Sequence, residues 1–179
     1  MSIVALATVL RAGYGTGPLF QSADGRRVCA RPVPSAGGYY PFSLFVVTTA
    51  VDGLADGLHR YDPWQHELVT LRAGPVRAEA DACLLAPQFL EGANVLLFLA
   101  APLDPMLAKY GPRGYRYLLL EAGHTAQNFC LAAIEQNLAT LCVGGFMDRA
   151  VDRLLGLKEM AEGTLYCIGI GCPDDNGLG

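Results

Sequence analysis

Hydrophobic residues recur with a helical period at the start of the chain. Ile3, Leu6 and Leu10 share one helical face, and Ser2 stands where an N-cap residue accepts a backbone hydrogen bond. Residues 2–12 are therefore predicted to form a short amphipathic helix. The glycine-rich and polar stretch that follows, residues 14–31, predicts a loop with at most an irregular strand.

Short runs of β-branched, aromatic and aliphatic residues predict strands in the first half of the chain and near its end. Asp62-Pro63-Trp64 separates two of these runs and is typical of a hairpin turn. Residues 75–90 predict one or two short helices, and a helix is also predicted over residues 148–155. The predicted strands are residues 43–49, 58–61, 67–71, 94–100 and 165–170.

The longest helical pattern begins at Tyr117 and continues to Leu138. Apolar residues surround nearly its whole circumference, so we expect this helix to lie in the core. A polar stripe on it would then need hydrogen-bond partners. That stripe is either a self-satisfied network that fixes the helix register or one wall of a ligand site. It consists of Glu121, His124 and Asn128, with Gln127 beside it.

Strands in the first half and at the end, wrapped around one long buried helix, predict an α+β layered fold with a single domain over residues 1–179. Charged residues are 17% of the chain and apolar types 52%, against about 25% charged on average. This low charge predicts that an oligomeric partner covers part of the surface. The net charge of −4 argues against nucleic-acid binding.

The six cysteines contain no C-x-x-C pair and have no histidines at zinc spacing, so we expect reduced core thiols and no metal site. Glu121 and His124 have the Glu-x-x-His spacing of di-metal bundles, but a second copy is absent from the sequence. The longest apolar run, residues 95–103, is too short to span a bilayer. We therefore expect a cytoplasmic protein that does not enter membranes.

Two glycine loops and one lysine are candidates for chemistry. The loops are residues 35–38 and Gly144-Gly145. Their small side chains would let the backbone of the loop approach a flat ligand, although either segment is also consistent with an ordinary turn. Lys109 precedes Arg113 and Arg116, and burial beside other cations would lower its pKa and make it a base. The alternative is a surface lysine in a polar loop.

Five segments of the chain together carry a family resemblance. They resemble, in order, the SagB-type dehydrogenases of the FMN-dependent nitroreductase superfamily, and the resemblance covers most of the chain. The segments are Arg31-Pro-Val-Pro-Ser-Ala-Gly-Gly-Tyr-Tyr-Pro41, Gly57-Leu-His-Arg-Tyr-Asp-Pro63, Lys109-Tyr-Gly-x-Arg-Gly-Tyr-Arg-Tyr117, Glu121-Ala-Gly-His-x-x-Gln-Asn128 and Gly144-Gly-Phe146.

The resemblance implies a nitroreductase-like dimer, with a mixed or antiparallel central sheet around the long helix and FMN at the subunit interface. It also implies oxidation of thiazoline and oxazoline rings in a modified peptide to thiazoles and oxazoles. Lys109 and Tyr110 would be the catalytic pair that removes a proton from the ring, while the flavin accepts a hydride. The implied cofactor contacts are Arg31, Pro34, Ser35, Ala36, Gly37, Gln127, Val143, Gly144 and Gly145.

The resemblance also leaves one expectation about the FMN phosphate. Nitroreductases usually hold it with an arginine-rich arm before the first helix, and this sequence begins within that helix. We expect weak FMN binding unless Arg26, Arg27 or Arg31 replaces the arm. The alternative function is a flavin-poor structural or scaffolding subunit of a biosynthetic complex. The expected partners are a second copy or a related subunit, the modified peptide and a cyclodehydratase complex.

Overall fold

The first helix packs beside the longest one. A computed structural model describes residues 1–21, 25, 27–158 and 161–173. Helix α1, Ile3–Tyr14, begins after Ser2, whose hydroxyl accepts a hydrogen bond from the Ala5 N–H at 3.2 Å, as predicted. Helix α4, Arg113–Glu135, approaches α1 closely at Gly13, where a Cβ would overlap the ring of Phe129.

A six-stranded antiparallel sheet forms the centre of the molecule, in the order β5-β4-β3-β6-β8-β7. This confirms the α+β class. Asp62 accepts hydrogen bonds from the N–H groups of Trp64 and Gln65 and so closes the predicted hairpin. The strands are β3 (Ser43–Thr48), β4 (Gly57–Asp62), β5 (Glu67–Ala73), β6 (Val95–Pro102), β7 (Ala139–Val143) and β8 (Glu162–Gly171).

Each face of the sheet packs against its own helices. On β6, Leu97 and Leu99 belong to the cluster that contains α1 and α4, whereas Leu96 and Phe98 belong to the cluster on the opposite face. That second face is covered by α2, Arg77–Asp81, and by α5, Asp148–Leu155. Because both faces are covered, the side chains of residues 95–101 are buried, as predicted for this strand.

Helix α4 corrects one prediction. It is buried on one face only, and Leu119, Leu120, Leu131 and Ile134 on its other face are exposed. The polar stripe is therefore not buried as a whole: Glu121 is buried, His124 and Gln127 are exposed, and the Asn128 amide donates to the carbonyl of Pro32 at 2.8 Å. Apolar residues around a whole helix therefore do not establish that every side of it is buried.

Several elements were not predicted. Strand β7 and the short helix α3, Asp104–Tyr110, are new, and residues 14–31 contain a two-stranded ribbon of β1, Leu19–Gln21, and β2, Arg27–Cys29. Arg26 and the glycine-rich tail from residue 174 lie outside the described residues. Among the helices that the structure describes, none has the length and hydropathy required to cross a membrane.

Candidate functional site

A cleft of about 460 Å³ lies between the loop before β3 and the first half of α4. Its volume is within the usual range for small-molecule sites, about 300–1,000 Å³. The cleft brings together three of the five segments that carry the family resemblance. Its lining residues are Pro34, Ser35, Ala36, Gly37, Tyr110, Tyr117, Leu120, Glu121 and His124.

The loop wall of the cleft is a tight turn. The Gly38 N–H donates to the Ser35 carbonyl at 3.0 Å, and the Ser35 hydroxyl accepts from the Tyr40 N–H at 2.8 Å. Gly37 and Gly38 both have φ of +64°, which favours glycine. A Cβ at Gly37 would overlap the Tyr110 hydroxyl and lie 2.8 Å from Nζ of Lys109, whereas a Cβ at Gly38 would meet nothing within 4 Å.

Lys109 and Tyr110 reach this loop from the end of α3. Gly111, with φ of +61°, ends the helix there. The rings of Tyr110 and Tyr117 pack edge to face at 5.1 Å, and Nζ of Lys109 lies 5.1 Å from the centroid of the Tyr110 ring. Lys109 is exposed, so the burial expected around it is absent from the single chain.

Both arginines near Lys109 are also exposed. Arg113 and Arg116 lie in the first turn of α4 on the protein surface. This agrees with the alternative of a surface lysine that the sequence left open, and desolvation of Lys109 stays a prediction. Helix α3 ends at Gly111, so Lys109 stands in its last turn, while Arg113 and Arg116 begin α4.

Glu121 lies beneath the cleft with only 2% of its surface exposed. Its Oε1 accepts a hydrogen bond from the Tyr14 hydroxyl at 3.4 Å, and that hydroxyl accepts one from the Phe42 N–H at 3.1 Å. Its Oε2 is buried and has no hydrogen-bond partner among the residues that the structure describes. Burial raises the pKa of Glu121 to about 7, although Ser35, Tyr14 and the charge of Arg31 oppose the rise.

Two further buried polar atoms near Glu121 have no partner. They are Oγ1 of Thr125, one helical turn away on α4, and Nε of Arg31. Burial also raises the pKa of Tyr14 above its usual value, and the negative charge of Glu121 adds to this rise. A folded protein normally pairs such groups, so Glu121, which lines the cleft with a buried oxygen that no described residue pairs, indicates a site built for polar chemistry.

Arg31 packs against aromatic rings. Its guanidinium carbon lies 5.1 Å from the ring centroid of Tyr14, 4.8 Å from that of Tyr40 and 5.4 Å from that of Trp64. It lines a separate cleft of about 320 Å³ that also contains Arg60. Its predicted contact with a cofactor phosphate stays a prediction, as does that of Arg27, which is exposed on β2.

The structure does not bring the remaining predicted cofactor residues into the cleft. Gln127 is exposed on α4. Val143 ends β7, and Gly144-Gly145 connects β7 towards α5, where the Gly145 carbonyl accepts from the Leu85 N–H at 3.0 Å. Sequence reasoning missed Tyr117 and Leu120 as lining residues. The spacing of Tyr117, Glu121 and His124, i, i+4 and i+7, is the signal that identifies this face of α4.

Comparison with known proteins places the chain in a family. Residues 5–172 match the nitroreductase family, so the chain belongs to this family. A protein of Methanocaldococcus jannaschii described as a nitroreductase is 36% identical over 129 residues. That match covers 72% of this chain and 65% of the relative, so the chain spans less than two thirds of the relative's length.

Solved structures share the fold. A nitroreductase structure from Anabaena variabilis has a TM-score of 0.83 and 27% identity, over 93% of this chain and 34% of that one. The Escherichia coli microcin synthetase McbBCD complex, with truncated pro-MccB17 bound, matches with a TM-score of 0.78 and 22% identity over 98% of this chain and 65% of that one. A nitroreductase structure from Desulfovibrio desulfuricans in complex with FMN matches at 0.63 and 17% identity, over 100% and 78% of the two chains.

Proposed function

We propose that this protein is an FMN-dependent dehydrogenase that oxidises thiazoline or oxazoline rings in a modified peptide to thiazoles or oxazoles. The observation that carries the proposal is the convergence of Lys109 and Tyr110 on Gly37 at the mouth of the cleft. Aromatising such a ring requires the loss of a proton from one carbon and of a hydride from its neighbour. A base must therefore stand beside a hydride acceptor.

The residues of the cleft fit a flat cofactor. Because Gly37 has no Cβ, its backbone can lie next to the Tyr110 hydroxyl. The apolar walls of the cleft are Pro34, Tyr117 and Leu120. The unpaired Oε2 of Glu121 beneath the cleft is available to a hydrogen-bond donor. FMN bound there would accept the two electrons that the azoline ring loses.

Lys109 is the proposed base. Its Nζ approaches Gly37, which lines the cleft, so a substrate bound in the cleft would lie next to it. The Tyr110 hydroxyl beside it would orient the azoline ring by hydrogen bonding. Glu121 lies farther in and, with a pKa of about 7, can hold or release a proton near neutral pH.

A second chain would complete the site. Leu119, Leu120, Leu131 and Ile134 form an exposed apolar face on α4, and Gly123 among them leaves open space for close approach of another helix. We infer that a second copy or a related subunit covers this face, which would bury Gln127 beside the cleft. In the proposed dimer, Val143, Gly144 and Gly145 would contact a cofactor shared between the subunits.

Light scattering tests this face. Leu131→Glu should convert a dimer into monomers, because it places a charge in an apolar interface. Phe89→Glu is the matched control, since Phe89 is 70% exposed but lies outside α4. A wild-type chain that is monomeric at micromolar concentration would remove the inferred interface.

A peptide substrate is supported by one of the structural relatives. The Escherichia coli complex is a synthetase bound to a truncated pro-peptide, and its fold matches 98% of this chain. We infer that the substrate here is also a peptide and that a cyclodehydratase, the class of enzyme that forms azolines, is the partner that supplies it. Tyr39 and Tyr115, both exposed near the cleft residues in sequence, offer aromatic surface to such a peptide.

The deciding experiment supplies purified protein with FMN, oxygen and a peptide that carries one azoline. Oxidation removes two hydrogens from each ring, so mass spectrometry should show that loss, and the product should gain azole absorbance. Riboflavin in place of FMN tests whether the phosphate matters. Protein that binds FMN tightly yet leaves azolines of both kinds unchanged would refute the proposed reaction.

One observation supports the alternative of a flavin-poor scaffolding subunit. Arg31, the predicted phosphate ligand, is stacked on three aromatic rings and lines a different cleft from the Gly37 loop. Titration with FMN separates the two functions. A scaffolding subunit should bind FMN and riboflavin equally weakly, whereas a dehydrogenase that uses Arg31 should lose FMN affinity in Arg31→Ala and as salt is raised.

A further inference from the structure

Two cysteines lie side by side away from the cleft. Cys130 is on the second half of α4 and Cys142 is on β7, and their sulfur atoms are 3.6 Å apart. Both side chains are half-buried. We propose that Cys130 and Cys142 are a redox-sensitive dithiol that forms a reversible disulfide.

The geometry favours this pair over the other cysteines. A disulfide requires the sulfurs to approach to about 2.05 Å, a movement that side-chain rotation supplies when two thiols are already in contact. Cys83 and Cys167 are buried in the opposite core, and Cys29 and Cys172 lie on β2 and after β8. Cys130 and Cys142 instead lie on two elements that pack against each other, α4 and β7.

The reaction is a thiol–disulfide exchange with a low-molecular-weight disulfide as oxidant. One protein thiolate attacks the oxidant, which forms a mixed disulfide and releases one small thiol; the second protein thiolate then displaces the other small thiol. The protein dithiol is oxidised by two electrons and loses two protons, and the small disulfide is reduced to two thiols. Burial, together with the contact with Cys130, raises the pKa of Cys142 to about 11.

A disulfide between Cys130 and Cys142 would link α4 covalently to β7, the strand that leads to the Gly144-Gly145 turn. Cys142 stands two residues before Gly144, and the ring of Tyr166 on β8 approaches both Cys142 and Gly144. In a reducing compartment the pair would remain a dithiol, and disulfides that form there are typically transient or sensing. The proposal stands independently of the proposed dehydrogenase activity.

Peptide mapping tests the pair directly. The full chain, in its folded state, is equilibrated with oxidised and reduced glutathione at increasing ratios, alkylated, and digested with trypsin. Lysine and arginine are absent between Tyr117 and Asp148, so one tryptic peptide, residues 117–149, carries both cysteines. As the ratio becomes more oxidising, we expect the mass of this peptide to fall by two hydrogens and both cysteines to become resistant to alkylation at the same ratio. Cleavage after Glu135 should leave its two halves joined until dithiothreitol is added.

Single substitutions give the controls. Cys130→Ser and Cys142→Ser should each abolish the joined fragments, whereas Cys29→Ser and Cys172→Ser should leave them unchanged. Circular dichroism verifies that each variant is folded. Independent alkylation of Cys130 and Cys142 at the most oxidising ratio would overturn the proposal, and so would either cysteine pairing with Cys172 or a link that forms only after denaturation.

Discussion

The two faces of the central sheet differ in whether their buried polar groups have hydrogen-bond partners. On the α5 face, the Asp152 carboxylate accepts hydrogen bonds from the Thr164 N–H at 3.0 Å and the Thr164 hydroxyl at 2.9 Å. Arg77 on α2 pairs with Asp81 at 2.8 Å and donates to two backbone carbonyls. On the α4 face, Glu121, Thr125 and Arg31 each keep a buried polar atom without a partner.

This difference separates buried polar groups that stabilise the fold from buried polar groups that belong to a functional site. An unpaired buried donor or acceptor costs about 1–3 kcal/mol of stability. Where a buried polar group serves stability alone it is therefore paired, as on the α5 face. Of the three groups on the α4 face, Glu121 lines the cleft, where a ligand can complete its hydrogen bonding. We therefore expect substitutions on the α4 face to change chemistry and substitutions on the α5 face to change stability.

The largest effect is expected for Lys109→Ala. Loss of a general base lowers a rate by about 10²–10⁴-fold, so azoline oxidation should fall by this factor while the flavin spectrum is unchanged. Lys158→Ala is the control, because Lys158 is an exposed lysine after α5. Full oxidation rates in Lys109→Ala would assign proton removal to another group.

The next effect compares two neighbouring glycines. Gly37→Ala and Gly38→Ala carry the same backbone strain, because both residues have φ of +64°, but only the Gly37 Cβ would displace Lys109 and Tyr110. A displacement of about 1 Å can cost about 10²-fold in rate, so the oxidation rate of Gly37→Ala should fall well below that of Gly38→Ala. Equal rates in the two variants would show that the contact with the loop does not matter.

A third prediction concerns Glu121 and pH. Because burial raises its folded pKa to about 7 from 4.5, the protonated form favours folding. Its contribution to stability is therefore greatest below pH 4.5, declines as pH rises towards 7, and is constant above that. Glu121→Gln should remove this decline, which amounts to roughly 3 kcal/mol.

Urea unfolding at a series of pH values measures this effect. The difference in unfolding free energy between Glu121→Gln and wild type should grow between pH 4.5 and 7. Glu135→Gln, an exposed glutamate on the same helix, should show no such growth. A difference that stays constant over this range would mean that Glu121 ionises normally in the folded protein.

The smallest effect belongs to the α5 face. Asp152→Ala leaves the buried Thr164 N–H and hydroxyl without their acceptor, so the unfolding free energy should fall by about 1–2 kcal/mol with FMN affinity unchanged. Asp148→Ala, at the exposed first turn of α5, should cost less than about 1 kcal/mol. A loss of FMN affinity in Asp152→Ala would contradict the separation of the two faces.

Local patterns determined most of the elements. The Ser2 cap, the hairpin closed by Asp62 and the apolar run of β6 all depend on interactions between residues near in sequence, and the structure confirms each of them. The fold class followed from the order of these elements. The resemblance of five segments pointed to SagB-type dehydrogenases of the nitroreductase superfamily. The match over residues 5–172 confirms the nitroreductase family, and the SagB type stays a prediction.

Tertiary packing alone decided which polar residues are buried and which meet. The pattern of α4 predicted burial on every side, but only the packing of α1 and the sheet against one face left Glu121 buried and Gln127 exposed. Similarly, the sequence left open whether Lys109 is desolvated beside arginines or lies on the surface, and the fold places it on the surface beside Gly37. Solvation and long-range proximity depend on segments distant in sequence, so no local pattern specifies them.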